Sequence, residues 1–152
     1  MTMIVCVQHR PGAYIIASDS LYSYDDRSFH AGRKWRLVED NIVCMAGETP
    51  YPDTTDFSEL HEYCTDNECT LILTGKEGLF VFSPEEVYKV RDDICVLGSG
   101  GTLALGAVNM KIGKIKKSSP EKALSIVQEC MLSACKYAVN CDGPIHVEYF
   151  IP

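Results

Sequence analysis

Apolar and polar positions fall in short blocks along this chain, punctuated by glycine, proline and aspartate. Residues 3–7 form a continuous apolar run, and residues 13–17 form another. Between them His9-Arg10-Pro11-Gly12 places Pro and Gly in the order of a type II turn, so the pattern predicts an opening hairpin. Residues 35–38 and 42–46, parted by Glu39-Asp40-Asn41, predict a second hairpin. Its later strand is apolar throughout, as expected of a strand covered on both faces.

Weak helical spacing through Phe57, Leu60 and His61 predicts a short helix over 54–63, with Thr or Asp as its N-cap. Runs at 70–74, 79–83, 86–90 and 94–97, divided by glycine, proline and aspartate turn signals, predict a meander of four strands. A helix is expected after Gly98-Ser99-Gly100-Gly101, through Leu103, Leu105, Ala107, Val108 and Met110, with Gly113 as its end. Ser119 and Pro120 then form an N-cap and N1 pair. Ala123, Val127, Cys130, Ala134 and Ala138 follow at helical spacing. So narrow a stripe of small residues predicts a helix packed closely on a sheet, and residues 146–151 close the chain as a strand. This order predicts a layered α+β fold, with two sheets between helices.

Composition narrows the function classes. With 152 residues, 46% hydrophobic and 23% charged, the chain fits a single globular domain spanning 1–152. A net charge of −7, with basic residues concentrated only in the stretch from Lys111 to Lys117, argues against nucleic acid or an anionic membrane as partner. No apolar run approaches the roughly 20 residues of a membrane helix, and no signal-like segment opens the chain. The eight cysteines form no CxxC pair and sit mostly in apolar runs, which points to a reducing, cytoplasmic setting. Nothing in the sequence calls for a metal or other cofactor.

Thr2 is the first candidate for chemistry. Once the residue before it is removed, Thr2 carries both a nucleophilic hydroxyl and an amine whose ordinary pKa of about 7.7–8.0 suits a general base. Asp19 ends the second apolar run and Lys34 precedes the third. Hairpin geometry could bring both beside the start of the first strand, where an ammonium would lower the pKa of the Thr2 amine.

Several segments, in order, resemble bacterial HslV and proteasome β-subunits. They are Thr2-Met3-Ile4-Val5, Ile16-Ala17-Ser18-Asp19-Ser20, Lys34 before its strand, Ala46-Gly47, Leu71-Ile72-Leu73-Thr74-Gly75 and Leu97-Gly98-Ser99-Gly100-Gly101. The resemblance implies a four-layer αββα sandwich of the N-terminal-nucleophile hydrolases and a threonine-type peptidase mechanism through an acyl-enzyme. It implies Thr2 as nucleophile and base, Lys34 as the tuning cation and Asp19 as its partner. It also implies Gly47 as the oxyanion-hole N–H, Ser99 as a support near the amine, and Met45 in the pocket for the side chain preceding the cleaved bond. The implied partners are a peptide or unfolded protein substrate, further copies of the chain in a homo-oligomer, and an ATPase unfoldase. This sequence departs from the family between Gly47 and Thr70, where two long helices are replaced by a short segment, so one helical layer is expected to be reduced. Ala138 and Cys141 stand where proteasome subunits carry a supporting Asp and Ser.

Other readings compete. The same fold could serve without catalysis, as an assembly or virion component of a phage. His61-x2-Cys64-x4-Cys69 has metal-ligand chemistry without a fourth partner, and a Cys64–Cys69 disulfide conflicts with a reducing compartment. Gly98 to Gly101 before a helix could hold phosphate, although no downstream Lys or acidic partner follows. Tyr22, Tyr24 and Phe29 with Asp25 and Asp26 could form a recognition loop.

Overall fold

The computed structural model describes residues 2–24, 27–30, 32–46, 50–138, 141 and 144–152. The opening hairpin joins β1 (Ile4–Arg10) to β2 (Ala13–Ser18), and Gly12 takes φ of 76° at the third position of the turn, where a type II turn requires a positive angle. β3 (Leu21–Tyr24) and β4 (Arg27–His30) form a small antiparallel ribbon in the segment read from sequence as a loop. Asp25 and Asp26 of that reading lie outside the described residues.

β5 (Trp35–Val38) and β6 (Asn41–Met45) form the second hairpin. Helix α1 (Phe57–Asn67) starts three residues later and ends four residues beyond the expected span. The reason is local: the Asp56 carboxylate accepts from the Glu59 N–H at 3.1 Å as N-cap, and Glu68 in the left-handed region terminates the last turn.

β7 (Leu71–Gly75), β8 (Gly78–Phe82) and β9 (Val87–Lys89) continue as a meander, but β10 (Ile94–Leu97) leaves it. It pairs with β1 instead, Cys95 opposite Cys6, so one sheet runs β10-β1-β2 and closes on β11 (His146–Phe150). The other sheet runs β5-β6-β7-β8-β9. Strand periodicity cannot reveal this switch, because Ile94-Cys95-Val96-Leu97 is apolar at every position and so has no face that marks one sheet over the other.

α2 (Gly101–Lys117) runs through Gly113, the end expected from sequence, and continues for four more residues. Nothing lies within 4 Å of where a Cβ at Gly113 would sit, and a lone glycine weakens a helix without stopping it. Gly113→Ala is therefore expected to stabilise the fold by about 0.5–1 kcal/mol, seen as a higher denaturant midpoint at unchanged slope. A lower midpoint would mean that glycine is needed there. α3 (Pro120–Tyr137) begins as expected, with the Ser119 hydroxyl accepting from the Lys122 N–H at 3.3 Å.

Three apolar clusters define the layers. Met3, Val5, Val7, Ile15 and Ala17 face Ala104, Val108, Ala123, Val127 and Met131 of α2 and α3. Ile4, Cys6, Tyr14 and Ile16 face Ile42, Cys44, Ile72 and Val81 across the sheet interface. Val43, Met45, Leu71 and Leu73 face Leu60 and Cys64 of α1. Successive residues of β1 thus point into different clusters, as the period of two in a strand demands. The result is helices, sheet, sheet, helix, with α1 as the reduced outer layer among the described residues.

Candidate active site

The first hairpin brings Asp19 to Thr2. Ile4 pairs with Ser18, so one residue further along the ladder Asp19 lies beside Met3. The Asp19 N–H donates to the Met3 carbonyl at 3.1 Å, and the Asp19 Oδ1 accepts from the Met3 N–H at 2.9 Å. The carboxylate is thereby fixed next to the residue that follows Thr2.

Lys34 enters from the other sheet, directly before β5. Its backbone N–H donates to the Ser18 hydroxyl at 3.4 Å, and its side chain runs inward with no solvent exposure. The ammonium donates to Thr2 Oγ1 at 2.7 Å, Asp19 Oδ1 at 2.8 Å and the Leu21 carbonyl at 2.8 Å. An ammonium has three protons, and these acceptors provide a partner for each. A buried ion pair is tolerated when its remaining hydrogen-bonding capacity is filled this way. Thr2, Asp19 and Lys34, expected together from sequence, are together, with Thr2 only 4% exposed.

The glycine loop before α2 closes over the Thr2 backbone. Gly100 N–H donates to the Thr2 carbonyl at 3.1 Å. Gly98 has φ of 92°, and a Cβ there would lie 2.1 Å from the Thr2 carbonyl oxygen. A Cβ on Gly100 would lie 2.7 Å from both Cys141 Sγ and Met3 Cε. These two glycines are site residues to which the sequence assigns no contact with Thr2, although the segment Gly98-Ser99-Gly100-Gly101 belongs to the resemblance; the spacing Gly98-x-Gly100 is the signal for that contact. Ser99, between them, is exposed. The Gly100 N–H at the start of α2 is thus spent on Thr2, and the Gly101 N–H on the Gly98 carbonyl at 3.0 Å.

Cys141 is buried against this loop. Burial, and after it the Asp19 carboxylate, push its thiol up, partly offset by the Lys34 ammonium and the Gly100 backbone. Ala138 caps α3. Met45, at the end of β6, is buried in the cluster under α1. Gly47 lies outside the described residues. At the other candidate site, His61 Nε2 bonds the Pro84 carbonyl at 3.3 Å. Cys64 is pushed up to about 12 by burial first and then by Cys69. No group of three or more potential ligands gathers there or elsewhere among the described residues.

Two facing antiparallel sheets with helices outside are the fold that this chain shares with solved structures of HslV and of BPH. Among solved structures, eukaryotic HslV from Trypanosoma brucei matches with a TM-score of 0.70 at 18% identity, covering 99% of each chain. Thiobacillus denitrificans BPH in complex with epoxomicin matches with a TM-score of 0.73 at 16% identity, covering 99% of each chain. A second structure of Thiobacillus denitrificans BPH matches with a TM-score of 0.73 at 15% identity, covering 99% of this chain and 98% of that one. No protein-family model matches the chain, and no curated protein matches its sequence.

Proposed function

We propose that this chain is a threonine peptidase whose nucleophile is the Thr2 hydroxyl and whose base is the Thr2 amine, freed by cleavage of the Met1–Thr2 bond. The observation that carries this reading is the 2.7 Å bond from the Lys34 ammonium to Thr2 Oγ1, inside a buried network with Asp19. A cation donating to the hydroxyl oxygen stabilises negative charge there and favours its nucleophilic form.

In the proposed reaction the freed Thr2 amine takes the hydroxyl proton as Oγ1 bonds to the peptide carbonyl carbon. The amine then gives that proton to the departing peptide nitrogen as the C–N bond breaks, leaving an ester on Thr2. Water, deprotonated by the same amine, attacks the ester and releases the acid and free Thr2. Gly47 N–H is the proposed oxyanion donor and Ser99 a support beside the amine. Met45 is assigned to an apolar-preferring substrate pocket, which a panel of peptides varied at the residue before the cut would measure; indifference to that residue would remove the assignment.

The proposed assembly is a homo-oligomer acting on peptides or unfolded proteins in the cytoplasm, with an ATPase unfoldase as a further partner. Exposed Leu103, Met110, Leu132 and Tyr137 on α2 and α3 support the oligomer. Among the described residues no helix is long and apolar enough to cross a membrane.

Native and intact mass spectrometry with an epoxyketone tests both proposals. The expected result is an oligomer whose subunits have lost Met1 and carry one adduct each, absent in Thr2→Ala. A chain that keeps Met1 and takes no adduct would instead favour a non-catalytic assembly role on this fold, in a virion or elsewhere. A strict monomer at micromolar concentration would remove the homo-oligomer.

A further inference from the structure

Lys34 is flanked by two residues that reach the same carboxylate. Glu148, on edge strand β11 of the first sheet, accepts from Trp35 Nε1 at 2.7 Å and from Arg33 Nη1 at 3.3 Å. β5, which begins at Trp35, is the edge strand of the other sheet. One side chain therefore ties the two sheets together at the point where Lys34 enters the core. The two bonds are unequal. Arg33 and Glu148 are 56% and 37% exposed at their side chains, so solvent screens that pair. Trp35 is 2% exposed, and its bond is short and charge-assisted.

We propose that Glu148 is a positioning residue for the reaction, acting through Trp35 to hold the Lys34 ammonium on Thr2. The proposal rests on the threonine-peptidase reading above. Physically, Lys34 is a long side chain whose three hydrogen bonds depend on where its backbone sits. The Lys34 backbone N–H donates to Ser18 Oγ and its carbonyl accepts from the Met45 N–H, each at a long 3.4 Å. The Trp35 indole is the rigid neighbour that can fix it, because it is packed in the inter-sheet core and pinned at its nitrogen. Displacing a catalytic group by about 1 Å costs up to roughly 10²-fold in rate.

The test compares Glu148→Ala, Glu148→Gln and Trp35→Phe in the full chain. Glutamine retains an acceptor for the indole N–H, and phenylalanine retains most of the ring while removing that donor. The first readout is the solvent exchange of the Lys34 ammonium protons, followed by NMR, which needs no activity. Exchange is expected to accelerate by roughly tenfold or more in Glu148→Ala and Trp35→Phe, to be no faster in their double variant, and to stay near wild type in Glu148→Gln. The second readout is the rate of Thr2 labelling by the epoxyketone, expected to fall in the same order with thermal midpoints that do not track it. Unchanged ammonium exchange in Glu148→Ala overturns the positioning role whatever the labelling shows. Altered exchange with no labelling even of wild type keeps the positioning of Lys34 and removes the peptidase reading instead.

Discussion

Lys34→Met is expected to lower Thr2 labelling by at least about 10²–10³-fold, the scale on which a single charge-stabilising donor contributes to acyl transfer. It should also weaken the fold by about 3–5 kcal/mol, because Asp19 is left as a buried charge without its cation. The two effects can be separated. In Lys34→Met with Asp19→Asn, the amide oxygen still accepts the Met3 N–H and no buried charge remains. The double variant is expected to regain most of the stability, measured by denaturant titration, and none of the labelling. Labelling near the wild-type rate in a folded Lys34→Met chain would make the lysine a structural residue and remove the mechanism proposed for it.

Gly98→Ala is expected to cost about 3 kcal/mol or more, since it combines a positive φ with a clash that cannot relax by a rotamer change. The added Cβ would meet the Thr2 carbonyl oxygen at 2.1 Å and the carbonyl carbon at 2.6 Å, both of them backbone. Either the loop withdraws, loosening the Gly100 N–H bond to Thr2, or the Thr2 backbone moves off Lys34. In both cases labelling should fall by roughly tenfold or more at temperatures where the variant is still folded. Ser99→Ala is the comparator: the exposed hydroxyl is expected to leave stability within about 0.5 kcal/mol, so any lost labelling would reflect its support of the amine. A Gly98→Ala chain as stable and as readily labelled as wild type would show that the loop can retreat without disturbing Thr2.

The parts of this protein legible in its sequence are those set by neighbours along the chain. The Pro11-Gly12 turn, the Ser119-Pro120 cap and the short apolar runs of the hairpins specify their elements locally, and these elements stand where they were expected. The double covering of β6 was legible for the same reason: Ile42 and Cys44 face one cluster while Val43 and Met45 face another, and both sets are apolar. The span of α1 was shifted because its apolar stripe is thin, and the Asp56 cap decided its start. The end of α2 was misplaced because glycine is a statistical stop signal, whereas continued packing of Ile115 keeps the helix intact past Gly113.

Thr2, Asp19 and Lys34 were candidates from sequence, as chemically suited residues at strand ends, and the resemblance to HslV and proteasome subunits put them in one site. What sequence alone could not supply is their contact, because it is made between sheets. The first hairpin fixes Asp19 beside Met3, but Lys34 reaches them only because the second sheet stacks on the first. The same holds for β10, whose continuous apolar run suits either sheet, and for Glu148, which meets Trp35 across 113 positions of chain. Local propensity and periodicity determined the elements and the hydrophobic face of each. Burial of those faces against one another, which is non-directional and acts without regard to sequence separation, decided which elements became neighbours and so assembled the site.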